Sequence, residues 1–323
     1  MHTWLTKTFG LEHPIVGAPM AGRSGGRLAA AVSAGGGLGM IGAGRSVSPD
    51  WIAQQAALAT AGPFGIGLMT WALPETPGLL AATLATKPVL VSLSFGDPAP
   101  YVAEVRASGA GERCPRRDAG QHRGRRGGRR GRRRRPGRGP SGEAGGHTGQ
   151  IATLPLLQEV LETTDRPVVA AGGIATGRGL AAVIAAGAQG AWIGTALLAC
   201  PETDGPQQAR ERALGAASHE TVYTSVFDRI AGAPWPARWG GRAIENDLSE
   251  RWHGREDEAA THPGLRQEFR RALDGRDFEI AVAYAGQSVG MVREERPAAD
   301  VVRTIGVEAQ SRLDQLSAAN TNG

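Results

Sequence analysis

Cysteine is almost missing from this chain of 323 residues. Cys114 and Cys200 are its only two, too few for a disulfide framework or a thiolate-rich metal centre. No apolar run reaches about 18 residues, the length a membrane-spanning helix needs. Met1 to Gly10 have no basic start leading into an apolar stretch, so they do not read as a secretory signal. Aromatic side chains make up 5% of the sequence, which leaves aliphatic and small residues to fill the interior. These absences describe a soluble, cytoplasmic protein with no metal and no membrane contact. What is present, 41% hydrophobic residues and 48 glycines, suffices for one large α/β barrel or two mid-sized domains.

The formal net charge of +5 invites a nucleic-acid partner, and its distribution argues against one. Between Gly111 and Gly142 stand 13 Arg against one Glu and one Asp, a local charge of +11. The remainder of the chain therefore carries about −6. Basic arms that grip nucleic acid usually form a terminus, whereas this one interrupts the middle. No nucleic-acid partner is expected.

Outside that stretch, short apolar runs alternate with longer helical patterns, as repeated βα units on a parallel sheet require. The strand candidates are Pro14–Met20, Leu38–Gly42, Phe64–Trp71, Pro88–Phe95, Pro167–Gly173 and Gly190–Gly194. Continuous apolar runs of this kind suit strands buried on both faces. Neighbours are spaced by about 20 to 26 residues until a gap opens from Phe95 to Pro167, room for two further units. Six and two make eight, the number that closes a (β/α)8 TIM barrel. The expected organisation is a barrel over residues 1–205. A C-terminal helical extension, 206–323, packs on it, with polar helices from Pro206 to about Gly275 and a last helix from Ala298 to Ala318.

Residues 111–142 contain no Val, Leu, Ile, Met, Phe, Tyr or Trp. Without large apolar side chains the segment cannot offset the entropy of ordering it, so its composition predicts disorder where strands five and six belong. Arg, Gly and Pro are also what a GC-rich gene yields out of frame. A GTC run for Val then reads as CGT codons for Arg. A pair of compensating frameshifts near residues 110 and 142 accounts for the composition, the abrupt return of normal patterning at Glu143 and the Arg132–Arg135 run where a Val-rich strand is due.

Three glycine-rich turns follow strand candidates: Gly17-Ala18-Pro19-Met20, Ala171-Gly172-Gly173-Ile174-Ala175 and Gly194-Thr195. In a barrel, the loops after the seventh and eighth strands commonly cradle a phosphate. Glycine lets backbone N–H groups approach an anion, and the following helix adds its dipole. Gly172, Gly173, Gly194 and Thr195 stand at those two places. His147 lies in Glu143–Gly149 (EAGGHTG), the expected loop after the sixth strand, where an imidazole could take a proton from a carbon acid near neutral pH. The other histidines have no such context and read as surface or structural residues, as does Cys200 as a buried small side chain.

Taken in order, Gly17–Met20 (GAPM), Gly35–Gly42 (GGGLGMIG), Glu143–Gly149, Ala170–Gly173 (AAGG) and Gly194-Thr195 resemble the FMN-dependent nitronate monooxygenases, once called 2-nitropropane dioxygenases. The resemblance covers residues 10–110 and 143–318, and Tyr284–Met291 (YAGQSVGM) is similar to the WAGQG element of that family. It implies a TIM barrel with FMN at its mouth. Met20 would back the flavin, and Gly145, Gly173, Trp192, Ile193, Gly194 and Thr195 would contact it, the later ones around the phosphate. His147 matches the catalytic histidine. The implied reaction is oxidation of alkyl nitronates by O2 to a carbonyl compound and nitrite, with neutral nitroalkanes as further substrates. A homodimer is left open. The alternatives are a flavin-dependent enoyl-reductase of the same superfamily, and an inactive product.

Two positions depart from the family. Gly67 stands where Asn is common, and the flavin-contacting Gln that normally ends strand six falls in the Arg-rich stretch, where no Gln occurs between His122 and Gly142. Resequencing codons 105–145 is expected to expose a Val- and Ala-rich translation in another frame. If every alternative frame lacks one, the frameshift reading is wrong.

Overall fold

Strands hidden on both faces need side chains that ask nothing of water, and the apolar runs of this chain supply them. In the computed structural model, which describes residues 1–110, 141–236 and 238–321, they form β1 (Ile15–Gly17), β2 (Gly39–Gly42), β3 (Phe64–Met69) and β4 (Leu90–Ser94). Then follow β5 (Gly146–Thr148), β6 (Ala170–Ala171), β7 (Ala191–Ile193), β8 (Thr221–Thr224) and β9 (Gly240–Ile244). One parallel sheet runs β1-β7-β6 and another β2-β3-β4, and a parallel bridge from Val16 to Leu38 joins them. The continuous order is therefore β6-β7-β1-β2-β3-β4, the six strands expected from the sequence.

The two expected strands at 111–142 fall almost wholly outside the described residues. Ser141 donates its N–H to the Ala171 carbonyl at 3.2 Å, so the described chain resumes beside β6. That is the flank where a sixth barrel strand would end.

Helices cover the outer face. Gly26–Ala34, Pro49–Leu58, Leu79–Ala85 and Ala99–Ala107 follow β1 to β4, and Gly177–Ala185 follows β6. Pro49–Leu58 starts where Ser48 accepts from the Trp51 N–H and Pro49 supplies a preset first turn. Two apolar clusters lie between sheet and helices. Ile41, Ile52, Ile66, Leu79, Val91 and Val105 form one, and Ile15, Leu28, Leu180, Ile193 and Leu197 the other. Residues of opposite parity, Val16, Leu38, Met40 and Leu90, point inward and pack with Leu5 and Phe9 of the first helix, Trp4–Phe9, which plugs the lower end.

Glycine sets how closely these layers approach. A Cβ on Gly39 would overlap the Ala29 carbonyl, so β2 and helix Gly26–Ala34 touch backbone to backbone. The last helix, Ala298–Thr321, returns to the barrel with Val302, Ile305 and Ala309 buried on one stripe. A Cβ on Gly177 would overlap Glu308 of this helix. Among the described residues no helix is long and apolar enough to cross a membrane.

The helical extension expected over 206–323 is present, ending in helix Ala298–Thr321, and it carries two strands that the sequence did not announce. Helices Gln207–Gly215, Val226–Ala231 and Leu265–Gly275 are present, but β8 and β9 pair antiparallel with each other, and β9 pairs with β5. Four- and five-residue strands carrying Tyr223 and Arg242 give too short an alternation to register against helical neighbours. They matter because β5 carries His147.

A matched pair of substitutions tests the close packing. Gly39→Ala should lower stability by about 1–3 kcal/mol through overpacking against fixed backbone. Gly215→Ala, where nothing lies within 4 Å of an added Cβ, should be neutral or slightly stabilising. Urea unfolding of both variants checks the difference.

Candidate active site

The loop after β1 is folded back over the barrel mouth. Ser24 Oγ donates to the Ala18 carbonyl at 2.7 Å and accepts the Met20 N–H at 3.2 Å, which pins Pro19 and Met20 across the ends of β2 and β3. A Cβ on Gly42 would lie 2.6 Å from the Pro19 and Met20 backbone, and one on Gly67 would overlap the Pro19 ring. Gly67 is thus a steric necessity of this loop, and an Asn there would collide with Pro19. The Met20 sulfur reaches to 3.2 Å from where a Cβ on Gly194 would sit, so the first and last barrel strands meet at the mouth.

The turn after β6 has Gly172 at φ +113° and Gly173 at φ +68°, conformations that L side chains rarely adopt. The N–H groups of Gly173 and Thr195 donate to no acceptor among the described residues. Two open amides at the ends of adjacent strands are what a phosphate-binding turn presents. The Thr195 hydroxyl accepts the Gly286 N–H at 2.9 Å. Trp192 donates its indole N–H to the Gly17 carbonyl at 3.0 Å, and its ring faces the cavity. Every predicted site residue except Ile193 lines that one cavity. The Ile193 side chain points outward into the core instead.

Glu143 ties these loops together. Its carboxylate accepts the Thr153 N–H at 2.9 Å, at the start of helix Thr153–Thr163, where the helix dipole favours an anion. The Thr153 hydroxyl has Glu143 Oε2 at 2.8 Å and the Gly172 carbonyl at 2.9 Å as acceptors, and Ser141 Oγ lies 2.6 Å from it. The Glu143 carbonyl accepts the Gln287 N–H at 2.9 Å. A Cβ on Gly145 would lie 2.6 Å from the Ala285 carbonyl carbon and the Gly286 nitrogen, so EAGGH and YAGQ are in backbone contact.

His147 leaves β5 opposite Gly241 and is buried. Its Nε2 lies 2.8 Å from Asp228 Oδ2, on helix Val226–Ala231. Trp235 stacks on the imidazole, ring centroids 3.4 Å apart and planes 9° from parallel, and the Tyr284 ring stands 5.5 Å away. The Tyr284 hydroxyl donates to Asp228 Oδ1 at 3.5 Å. Burial, then the charge and hydrogen bond of Asp228, hold the Tyr284 phenol well above its ordinary range. Phe95 and Trp71 meet the Trp235 ring edge-on, and Trp239 backs Phe95. Phe95 adopts φ +63°, a strained conformation for a bulky residue, at the end of β4.

Asp228, Trp235 and Glu143 were not singled out by sequence reasoning. Asp228 sits in a six-residue, mostly apolar helix with no motif around it. The Trp235 signal was its scarcity, one of 7 Trp in a Pro-Trp-Pro turn. His13 is buried against Gly306, and His122 and Cys114 lie outside the described residues. Cys200 is buried, and desolvation pushes its thiol up to about 12, which removes it as a nucleophile. No cluster of three metal-ligating side chains occurs among the described residues.

Comparison with known proteins bears on this geometry. The family model described as nitronate monooxygenase matches residues 2–106 and 139–308. The nitronate monooxygenase of Paraburkholderia phytofirmans is 29% identical, over 97% of this chain and 96% of that one. Among solved structures, FabK from Thermotoga maritima superposes with a TM-score of 0.77 at 26% identity, covering 99% of both chains. Nitroalkane oxidase from Streptomyces ansochromogenes gives 0.73 at 28%, covering 97% of this chain and 99% of that one.

The Tyr284 environment makes a pH prediction. Its folded-state pKa lies above the unfolded value of 10.0, so the folded state keeps a proton that the unfolded state loses. That contribution is complete below pH 10 and is lost as pH rises further. Tyr284→Phe should therefore flatten the fall in urea midpoint between about pH 9.5 and pH 11. An unchanged slope would place the phenol in an ordinary environment.

Proposed function

The chain belongs to the nitronate monooxygenase family, which makes it a flavin-dependent oxidoreductase, and we propose that it uses FMN and O2 to convert alkyl nitronates to a carbonyl compound and nitrite. One observation carries the reading. A buried, anchored imidazole shares a cavity with two glycine-rich turns that end adjacent barrel strands.

The residues present fit a flavin mononucleotide. The open amides of Gly173 and Thr195, with Gly172 and Gly194 beside them, would hold its phosphate, and the positive φ of both β6-turn glycines keeps side chains out of the way. Met20, Gly145 and Trp192 would flank the ring system. When bound, FMN supplies the electron-accepting chemistry that no side chain of this cavity has.

The remaining work falls to the chain itself. His147 is within the cavity and accepts a proton from the α-carbon of a neutral nitroalkane, generating the nitronate in place. Phe95, Trp235 and Val282 exclude water from that corner, which strengthens the electrostatic interactions of the imidazole. A preformed nitronate needs no such base. Its reaction depends on binding and orientation alone.

A second reading, a flavin-dependent enoyl-reductase, is favoured by the end-to-end superposition on FabK. Purified protein should be yellow and release nitrite from propionate 3-nitronate in air. His147→Gln should lower turnover of a neutral nitroalkane by roughly 10²–10⁴-fold and spare the preformed nitronate. Bleaching of the flavin by NAD(P)H without nitrite release would favour the reductase. Soluble but colourless protein would count against both.

A further inference from the structure

His147 has two ring nitrogens, and the structure uses them differently. Nε2 lies 2.8 Å from Asp228 Oδ2, with the two side chains 8% and 10% exposed. Nδ1 has no hydrogen-bond partner among the described residues and is not sealed from the cavity. A carboxylate can only accept, so the hydrogen between them belongs to Nε2, and the neutral imidazole carries its lone pair on Nδ1.

Neighbouring groups keep that arrangement in place. Trp235 lies flat on the imidazole, which restricts rotation of the ring about its bond to Cβ. The second oxygen of Asp228 is taken by the Tyr284 hydroxyl, and burial keeps that phenol protonated, a donor. Asp228 is thus held by a donor on each oxygen while its backbone sits in the first turn of helix Val226–Ala231.

We propose that Asp228 is the positioning residue of this site: it fixes the Nε2–H tautomer of His147 and so makes Nδ1 the atom that takes the substrate proton. The inference rests on the reading of His147 as the base. In the step, the α-carbon–hydrogen bond of the nitroalkane breaks and the Nδ1–H bond forms. The electron pair moves onto the nitro group as the nitronate, and the imidazolium is balanced by the Asp228 carboxylate at its other nitrogen. No oxidant or reductant takes part.

The test uses protein labelled with ¹⁵N-histidine and long-range ¹H–¹⁵N NMR, which reports the imidazole tautomer without substrate or turnover. Wild-type protein should show His147 with its hydrogen on Nε2. In Asp228→Asn the amide can donate to Nε2, so the Nδ1–H form should appear. Turnover number for a neutral nitroalkane should then fall roughly 10²-fold or more, with KM little changed and the preformed nitronate spared. Asp228→Glu, which restores an acceptor, should recover the Nε2–H form. Where Asp228→Asn does not fold, Tyr284→Phe should weaken the hold on Asp228 and give a smaller change of the same sign. A wild-type ring already carrying its hydrogen on Nδ1, or a tautomer unmoved in a folded Asp228→Asn, would overturn the proposal. A tautomer that follows position 228 in a protein releasing no nitrite would sink the functional reading and leave the positioning in place.

Discussion

The mouth of this barrel depends on one half-buried carboxylate. Glu143 is held by the first amide of helix Thr153–Thr163, and the hydroxyl of Thr153 lies between it and the Gly172 carbonyl. Its own carbonyl holds Gln287. Three segments far apart in the chain therefore meet at one residue, through its carboxylate, its backbone carbonyl and the Thr153 hydroxyl: the loop that leads to His147, the turn after β6 and the 284–287 element. Charge-assisted hydrogen bonds of this kind are stronger than neutral ones and tolerate little displacement. The backbone contact between Gly145 and Gly286 follows from that convergence, since no other residue lets the two loops close.

Much of this was legible in the sequence, for identifiable reasons. Parallel strands are apolar on both faces, so β1 to β4, β6 and β7 announce themselves as short uninterrupted runs. Glycines that end strands mark the mouth, and the spacing of EAGGH relative to them places His147. The elements that were missed have weaker local signals. β8 and β9 are too short for an alternation to emerge, and their pairing with β5 is a tertiary fact. Asp228 becomes meaningful only when helix Val226–Ala231 brings it to His147, 81 residues away in the chain. Likewise Trp71, Phe95, Trp235 and Trp239 come from three separate stretches, and nothing in any one of them indicates a common wall.

The Arg-rich stretch sits against this background as a break in kind. The family model stops at residue 106 and resumes at 139, close to the limits that composition alone draws. On both sides the chain is consistent across levels, with propensity, periodicity, turns and packing in agreement. Ser141 already lies in the hydrogen-bond network of Thr153 and bonds to Ala171. The site residues discussed above all come from the flanks.

Pro19 and Gly67 carry a consequence for how such a site could diversify. The proline ring occupies the space that any side chain at 67 would enter, so position 67 cannot gain a side chain while Pro19 is kept in place. An asparagine at 67 becomes admissible only after the loop above it has been rebuilt around a smaller or displaced residue at 19. The order of changes therefore matters. A lineage crossing from one version of this mouth to the other passes through an intermediate that is worse than both, unless the loop moves first.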